Sequence, residues 1–305
     1  MPQVVAIGEC MLELSRSNGG WRLAYGGDTF NAALYMHRLG VPVAYLTALG
    51  ADSFSDGMRT AWKEAGMDMS LVLTDAARLP GLYAITTDAA GERSFSYWRS
   101  ESAVRRLFSL PGIETALAAA STAALLYLSG ITLSLFSATE RATLISLARA
   151  VRSNGGLVAF DPNYRPSGWP DADTARTAIR DFSPQVSIAL PSFDDEQKLW
   201  EDATPEDTVS RCLAWGAREV IVKLGSRGCQ VAAGGLSSRM AAAPAPFVVD
   251  TTGAGDSFNA AYLAARLTGL DAQAAAAAGC RLSSLVIQHP GAILPASMLM
   301  DSVLE

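Results

Sequence analysis

The stretch DTTGAGDSF at residues 250–258 is followed by an apolar segment, residues 259–267, that predicts a helix. Small residues let backbone N–H groups approach a ligand closely, and a helix N-terminus favours an anion. Phosphoryl transfer builds up negative charge that such donors stabilise. Asp256 then falls in the first helical turn, where it is placed to accept a proton from an attacking hydroxyl. On spacing alone, Asp256 could equally well only complement the helix dipole, which is worth about 0.3–1 kcal/mol.

The sequence lacks several other common enzyme signatures. It contains no G-x-x-x-x-G-K-[ST], no G-x-G-x-x-G and no H-E-x-x-H. A P-loop nucleotide hydrolase and a dinucleotide-binding dehydrogenase therefore lose support. The two histidines of the chain, His37 and His289, have no plausible catalytic partner near them in sequence, which disfavours histidine-based catalysis.

Outward from the motif, short apolar runs alternate with longer helical segments. Strands are predicted at residues 4–8, 43–49, 124–128, 157–160, 187–190 and 220–222. Helices are predicted at residues 29–39, 54–65, 138–152, 172–182, 194–200 and 208–215. Short buried strands separated by helices pair in parallel, with helices on both faces of the sheet.

Two stretches, residues 11–25 and 81–99, interrupt this alternation. Within residues 81–99, polar and apolar residues alternate on both sides of a glycine-containing turn, which predicts a β-hairpin. Strands that do not belong to the alternation of strands and helices are expected to form a small separate sheet that serves as a lid over a site. We therefore expect one domain over residues 1–305, with a lid built from these two insertions.

The composition narrows the class of protein. Of the 305 residues, 50% are hydrophobic and 18% are charged, which permits a large core and excludes an intrinsically disordered chain. The net charge of −6 argues against a general nucleic-acid binder. The sequence has no signal-peptide pattern and no apolar run long enough to cross a bilayer, so we expect a cytoplasmic protein with no membrane partner. Its four cysteines form no C-x-x-C pair and are expected to be reduced and buried.

Two motifs near opposite ends of the chain carry a resemblance to a known family. DTTGAGDSF is similar to the C-terminal signature of the ribokinase-like, or phosphofructokinase B-type, carbohydrate kinases. GGDTFNAA at residues 26–33, with RLG at residues 38–40, resembles the glycine-rich substrate motif of that family. The resemblance covers nearly the whole chain. It implies an α/β, ribokinase-like fold, with a mainly parallel central sheet, helices on both faces and a small β-sheet lid.

Within this family, the chain resembles the 2-keto-3-deoxygluconate kinases. The segments that carry this resemblance are GECMLELS (8–15), TALGADSFSDGM (47–58), LPGLY (79–83), GERSFSYWRS (91–100) and DPNYR (161–165). The implied reaction is the ATP-dependent phosphorylation of the terminal hydroxyl of 2-keto-3-deoxygluconate, which gives 2-keto-3-deoxy-6-phosphogluconate.

The resemblance also implies roles for the residues of the C-terminal motif. Asp256 would be the general base that deprotonates the sugar hydroxyl. The backbone N–H groups of Gly253, Ala254 and Gly255 would form the anion hole. With both motifs counted, this functional interpretation is favoured over the simple dipole interpretation.

The carboxylate of a sugar acid needs a cationic partner, and Arg99 and Arg165 are the candidates in the resembling segments. Arginine binds a carboxylate with two parallel N–H groups, although either arginine could instead contact the transferred phosphate. The other predicted substrate contacts are Tyr83 and Tyr97 on the lid, and Gly26, Gly27 and Asn31 in the N-terminal motif. The tyrosines could also be ordinary sheet aromatics, and the glycines a simple turn. Arg105 and Arg106 are expected to be solvated at the end of a helix or loop.

The nucleotide site is predicted mainly from KLGSRG at residues 223–228, which resembles the ATP loop of the family. The predicted nucleotide-binding residues are Ser192, Lys223, Gly225, Ser226, Gly228, Thr251, Gly279 and Ser283. For Gly279 and Ser283, helix packing is an equally good interpretation.

One position departs from the family pattern. Many members carry N-x-x-E where this chain has Ser192 and Asp195, and in the family that acid helps to hold Mg²⁺, often through water. Asp195 is one methylene shorter than glutamate, so Asp194 and Glu196 are alternatives. We expect a Mg²⁺ requirement, because ATP phosphates need a cation and Mg²⁺ usually keeps most of its waters.

Three other functions stay open at this point. A kinase of a neutral sugar, such as ribose or fructose, would need no arginine pair. A non-catalytic sugar- or nucleotide-binding protein on the same fold would most simply have lost Asp256, which is present. A nucleoside kinase would need an aromatic slot, which the sequence does not locate. The expected partners are a small sugar acid and ATP, and the unpaired edges of a lid sheet predict a homodimer through the lid.

Overall fold

The computed structural model describes residues 3–17, 20–87, 93–299 and 303–304, in which strands and helices alternate. The strands are β1 (Val4–Ile7), β2 (Met11–Ser17), β3 (Gly20–Gly26), β4 (Val43–Gly50), β5 (Val72–Asp75), β6 (Leu82–Thr87), β7 (Arg93–Trp98), β8 (Leu125–Ser129), β9 (Leu157–Asp161), β10 (Ile188–Ala189), β11 (Glu219–Lys223), β12 (Cys229–Ala233) and β13 (Leu236–Met240). The α-helices are α1 (Asp28–Arg38), α2 (Ser53–Glu64), α3 (Ile113–Ala120), α4 (Gly130–Ser134), α5 (Ala138–Ser153), α6 (Ala172–Phe182), α7 (Phe193–Trp200), α8 (Pro205–Ala214), α9 (Ala254–Leu267) and α10 (Ala272–Val286).

The central sheet has nine strands in the order β13-β12-β11-β10-β9-β8-β1-β4-β5. Its seven strands from β11 to β5 pair in parallel, and only the β11-β12-β13 edge is antiparallel. The predicted fold class, a mainly parallel sheet with helices on both faces and a smaller sheet beside it, is confirmed.

Both faces of the central sheet are buried, as strand β1 illustrates. Val5 and Ile7 point into a core completed by residues of α3 and α5 to α8. Val4 and Ala6 point into a second core, completed by α1, α2, α9 and α10. Successive side chains of a strand point to opposite faces, so a strand covered on both sides is apolar throughout. This is why β1 consists of four fully buried residues.

The smaller sheet has the strand order β3-β2-β6-β7. The predicted hairpin is confirmed by antiparallel pairing of β6 with β7, from Leu82 opposite Trp98 to Thr87 opposite Arg93. Its predicted turn, at residues 88–92, lies outside the described residues. Tyr83, Tyr97 and Met11 lie on the face of this sheet that borders a large cavity.

Two elements of the central sheet were not predicted. Strand β5 forms one edge, and the β12–β13 hairpin forms the other. Strand β13 is largely exposed and therefore lacks an apolar pattern. The hairpin turn is Gly234-Gly235, where φ is +58° and +80°. A Gly-Gly pair between two strands is the usual sign of such a turn, and it was available in the sequence.

Local sequence signals set the ends of several helices. Ser137 and Glu140 form a capping box at the start of α5, and Gly40, with φ of +86°, follows the last turn of α1. None of the helices in the described ranges is long and apolar enough to cross a membrane. All four cysteines are free and buried, as predicted.

Candidate active site

A cavity of about 820 Å³ lies where the parallel strands end, under the smaller sheet. Its wall includes residues that directly follow or end β1, β9, β10 and β11: Glu9, Asp161, Ser192 and Lys223. In open α/β sheets, ligands bind outside the carboxyl ends of the strands, and this cavity has that position.

The N-terminus of α9 forms one wall of the cavity. The loop before it turns at Gly253, where φ is +76° and an added Cβ would lie 2.8 Å from the Ala292 side chain. Glycine is therefore required by the backbone and by close packing. The Ala254 N–H donates to the Thr251 carbonyl at 3.2 Å, and the cavity is lined by Gly253, Ala254 and Gly255. A helix start carries N–H groups that lack partners within the helix, together with the positive end of the dipole.

Asp256, in the first turn of α9, faces Asn31 of α1. The Asn31 side-chain amide donates to Asp256 Oδ2 at 2.8 Å. Burial raises the pKa of the Asp256 carboxyl to about 7, and the nearby Asp28 carboxylate adds to this rise, while the hydrogen bond from Asn31 opposes it. A carboxyl group whose pKa lies near neutrality can exchange a proton at physiological pH, as a general base must.

A buried ammonium group lies beside this helix start. Lys223 Nζ donates to Asp161 Oδ2 at 2.6 Å and to Asn259 Oδ1 at 3.1 Å. Lys223 is only 9% exposed and Asp161 3%, so their charges are compensated mainly by each other. The ammonium nitrogen would lie 3.6 Å from a Cβ on Gly255, so the cation borders the candidate anion hole directly.

Three polar residues of this network were not identified from the sequence. Asn163, whose φ is +35°, donates its side-chain amide to Asp28 at 2.9 Å and its backbone N–H to Asp161 at 3.1 Å. Asp161 and Asn163 stand at the end of the apolar strand β9, and Asp28 lies within the N-terminal motif. Polar residues at the carboxyl end of a buried parallel strand were the signal that could have found the first two.

The glycines of the N-terminal motif permit close contacts on the lid side. An added Cβ on Gly26 would lie 3.1 Å from the Tyr83 hydroxyl, and one on Gly27 would lie 2.1 Å from the Glu9 carbonyl oxygen. The Tyr83 hydroxyl donates to the buried Glu13 carboxylate. Burial and this carboxylate raise the pKa of Tyr83, so its hydroxyl stays protonated.

Tyr97 lies directly opposite Tyr83 in the β6–β7 register. Their ring centroids are 6.0 Å apart, and both residues line the cavity, although Tyr97 is 46% exposed. The two rings form part of the cavity wall on the lid side and present apolar surface to the cavity.

Each of the two predicted carboxylate-binding arginines is already paired with an acid. Arg99 Nη2 lies 2.5 Å from Glu9 Oε2, and Arg165 Nη1 donates to Asp195 Oδ2 at 2.9 Å. A third arginine, Arg105, also lines the cavity. The expectation that Arg105 is solvated was wrong, because its 3₁₀ helix (Ala103–Ser109) packs against β4, β5 and α3, and the Arg99 and Leu135 carbonyls hold its guanidinium group at the cavity wall.

The structure brings most of the predicted site residues to one cavity. Those that line it are Gly27, Asn31, Tyr83, Tyr97, Arg99, Arg165, Ser192, Lys223, Thr251, Gly253, Ala254, Gly255 and Asp256. Those outside its lining are Gly26, Asp195, Gly225, Ser226, Gly228, Gly279 and Ser283. Gly26 and Asp195 each touch a lining residue, Tyr83 and Arg165.

The structure gives packing reasons for two of the predicted nucleotide-site glycines. A Cβ on Gly279 would lie 2.8 Å from the ring of Phe258, which fits the alternative of helix packing between α9 and α10. A Cβ on Gly228 would lie 1.9 Å from the Met240 carbonyl oxygen, and φ at Gly228 is +86°. Their predicted nucleotide contacts stay predictions.

The described residues contain no cluster of three or more acidic, histidine or cysteine side chains that could hold a metal ion. Asp195 Oδ2 is engaged by Arg165, and Glu196 is fully buried against Arg211 on the other side of α7. This donor set fits an ion that is bound mainly by substrate phosphates and water, which is the usual state of Mg²⁺ in such sites.

The segment after α10 ties the two site helices together. Gly291 N–H donates to Asp250 Oδ2 at 2.7 Å, at the base of the α9 loop. The Tyr35 hydroxyl of α1 donates to the Ala292 carbonyl at 2.9 Å and accepts from the Leu294 N–H at 2.9 Å. These hydrogen bonds hold α1 against the loop before α9 and so keep Asn31 in contact with Asp256.

A doubly covered parallel sheet, with a carboxylate-bearing helix start facing a cavity under a second sheet, is the architecture of a carbohydrate kinase of the ribokinase-like class. The comparisons agree. The chain belongs to the pfkB family of carbohydrate kinases, whose pattern matches residues 1–298.

Curated relatives and solved structures extend this result. The chain is 42% identical over 299 residues to the 2-dehydro-3-deoxygluconokinase of Dickeya dadantii, covering 96% of each chain. It is 43% identical over 302 residues to the enzyme of that name from Escherichia coli K12, covering 96% of this chain and 97% of the relative. A putative ribokinase II from E. coli, solved with ATP and Mg²⁺, superposes with a TM-score of 0.84 at 25% identity, covering 96% of this chain and 94% of that one.

Proposed function

We propose that this chain transfers the γ-phosphoryl group of ATP to the terminal hydroxyl of 2-keto-3-deoxygluconate, also called 2-dehydro-3-deoxygluconate. The observation that carries the proposal is the charge distribution of the cavity. Asp256 and Asp28 lie at the α9 end, whereas Arg99 and Arg105 lie at the lid end. A sugar acid with a hydroxyl at one end and a carboxylate at the other matches this polarity. The names of the relatives support the same substrate.

The proposed reaction uses Asp256 as the base. The oxygen of the terminal hydroxyl attacks the γ-phosphorus, its proton passes to the Asp256 carboxylate, and the bond from the γ-phosphorus to the bridging oxygen of ADP breaks. Asn31 orients the carboxylate through its hydrogen bond. The base should be ionised when the substrate arrives, and a pKa near 7 allows this at cellular pH.

The negative charge on the transferred phosphoryl group is stabilised by the α9 N-terminus and by Lys223. Gly253, Ala254 and Gly255 line the space beside Asp256, and the ammonium of Lys223 lies next to Gly255. We propose that all three backbone N–H groups bind the phosphate, that of Ala254 in place of its bond to the Thr251 carbonyl. Donors that are fixed before the reaction stabilise developing charge without reorganisation. Mg²⁺, bound to the ATP phosphates, would neutralise further charge, and Asp195 is the residue we propose to hold it, through water.

We propose that the substrate binds inside the cavity and that ATP binds at its α9 end, partly beyond the residues that line it. Arg99 and Arg165 contact the sugar acid, with Tyr83, Tyr97, Gly26, Gly27 and Asn31 around it. ATP is held by Ser192, Lys223, Gly225, Ser226, Gly228, Thr251, Gly279 and Ser283. We also propose that the chain is a single domain whose lid is formed by residues 11–25 and 81–99. Its proposed location is the cytoplasm, where ATP is available.

The test is an ADP-release assay with Mg-ATP and a panel of acceptors. 2-Keto-3-deoxygluconate, its galactonate epimer, gluconate, fructose and ribose are compared at equal concentrations. Turnover restricted to the keto-deoxy acids is expected. Turnover on fructose or ribose would replace the substrate assignment by a neutral-sugar kinase. Folded protein with no turnover on any acceptor would favour a binding protein.

The rate is expected to fall at acid pH because protonation removes the base. With a pKa of Asp256 of about 7, kcat/KM should decrease tenfold per pH unit well below pH 7. Asp28→Asn removes a negative charge that raises this pKa, so the acid limb should move to lower pH. A kcat/KM profile from pH 5.5 to 9 for both proteins measures the shift. An acid limb at the same pH in both would contradict the coupling between Asp28 and Asp256.

We also propose a homodimer through the lid sheet. On the face opposite the cavity, Trp21, Leu23 and Trp98 are 50%, 49% and 60% exposed. Trp21 and Leu23 lie together on the edge strand β3, and Trp98 lies on the opposite edge strand β7. Exposed apolar side chains on open strand edges favour association. Light scattering should give the mass of two chains for the unmodified protein and of one chain for Leu23→Lys. The same substitution at Leu236, which is 76% exposed on β13, should leave two chains. A single-chain mass for the unmodified protein would refute the dimer.

A further inference from the structure

We propose that Arg105 supplies the uncompensated positive charge that selects a carboxylate-bearing substrate, with the Glu9–Arg99 pair as its fixed neighbour. The inference deepens the proposed function and rests on it. Arg105 is the residue of the lid-end wall that sequence patterns placed in solvent, and its own part in substrate choice is distinct from that of Arg99.

The guanidinium group of Arg105 is held by neutral partners. Its Nε donates to the Arg99 carbonyl at 2.9 Å, and its Nη1 donates to the Leu135 carbonyl at 3.2 Å. These contacts fix the plane of the group and use two of its five N–H donors. Arg105 lines the cavity, and no further hydrogen bond or ion pair of its guanidinium group occurs within the described residues.

The other two arginines of the cavity are committed to acids. Glu9 is only 4% exposed and has Arg99 as its cationic partner. A ligand that drew Arg99 away would leave a buried carboxylate without compensation, which is strongly unfavourable. Arg165 is also paired with an acid, Asp195, although its side chain is 51% exposed. The group formed by Glu9, Arg99 and Arg105 therefore carries one net positive charge, and it is located on Arg105.

Burial changes the pKa of the Arg105 guanidinium group. Removal of Arg105 from water lowers its pKa, although Glu9 acts in the opposite direction. A partly desolvated guanidinium that is bonded only to carbonyl groups gains most from an incoming anion. A substrate carboxylate at this position would form charge-assisted hydrogen bonds with a donor that needs no reorganisation.

The experiment compares two acceptor sugars that differ only in the group at C1, which is charged in one and neutral in the other. In 3-deoxyfructose, a hydroxymethyl group replaces the carboxylate of 2-keto-3-deoxygluconate. For Arg105→Gln, kcat/KM on the acid should fall about 10- to 100-fold, mainly through KM, as expected for loss of a charge-assisted hydrogen bond. On 3-deoxyfructose it should change much less. Arg105→Lys should recover part of the acid preference, because it restores charge without the planar fork.

The neighbouring Arg106 provides a matched control. It is exposed, lies on the same turn and contacts Asp75 at 3.6 Å outside the cavity. Arg106→Gln should keep the acid preference of the unmodified protein. Titration calorimetry with 2-keto-3-deoxygluconate, without ATP, gives a second readout, in which Arg105→Gln should lose affinity by the same factor.

The outcomes separate the inference from the proposed function. Equal losses on both acceptors would assign Arg105 a structural role through its two carbonyl contacts. Unchanged preference in Arg105→Gln would overturn the inference while leaving the kinase assignment intact. Absence of acid turnover in the unmodified protein, with carboxylate binding that Arg105→Gln abolishes, would overturn the proposed function and support the inference.

Discussion

Asp256→Asn is expected to lower kcat by about 10²–10⁴-fold, the usual contribution of a general base. The amide oxygen can still accept the hydrogen bond from Asn31, so the geometry of the site should persist. What is lost is the ability to take the proton of the attacking hydroxyl. ADP release at saturating substrate measures the effect, and KM for the sugar acid should change little, because the substitution affects the reacting atoms rather than the carboxylate end of the cavity.

A control on folding accompanies this result. The substitution removes a partly desolvated negative charge, so thermal unfolding should show stability equal to or above that of the unmodified protein. Retention of most of the rate in a folded Asp256→Asn protein would show that another group, or water, accepts the proton. The acid limb of the pH profile should also disappear in this variant, since no carboxyl group titrates there.

Lys223→Met is expected to have two separate effects. The free energy of unfolding should fall by about 3–5 kcal/mol, because Asp161, 3% exposed, loses the cation that compensates it. The value of kcat should fall by about 10²–10³-fold, because a fixed positive charge next to the phosphate-binding helix start disappears. Urea unfolding and ADP release measure the two quantities on the same preparation.

A double variant separates these effects. Asp161→Asn combined with Lys223→Met removes both charges, so most of the lost stability should return while activity stays low. Recovery of activity in the double variant would mean that Lys223 only offsets Asp161 and does not act on phosphate. A single Lys223→Met protein of unchanged stability would contradict the buried pair itself.

The central architecture could be predicted because it depends on local pattern. Strands such as β1 and β4 are continuous apolar runs, and the helices between them carry apolar residues at helical spacing. The β12–β13 edge was missed because most of β13 faces solvent and has no reason to be apolar. Exposed edge strands are set by pairing with a neighbour rather than by burial.

The membership of the site could be predicted, but its pairings could not. Arg99 and Arg165 were predicted as substrate contacts and line the cavity, yet nothing in the sequence indicates that Glu9 and Asp195 pair with them. These contacts join segments 90 and 30 residues apart, and nothing local to either residue encodes them. The error on Arg105 has the same origin, since the Leu135 carbonyl that holds its guanidinium group comes from a segment 30 residues away.

The hydrogen bonds that residues 291–294 make to α1 and to the loop before α9 determine when the site can form during biosynthesis. Asn31 and Asp256 are 225 residues apart, and the contact between Tyr35 and Leu294 spans 259. A nascent chain that has not yet extended past Leu294 lacks the hydrogen bonds that hold α1 against the α9 loop. Because such distant contacts close late, the contact between Asn31 and Asp256 forms only after nearly all of the sheet is made. An elongating or prematurely terminated chain would therefore be unable to consume ATP.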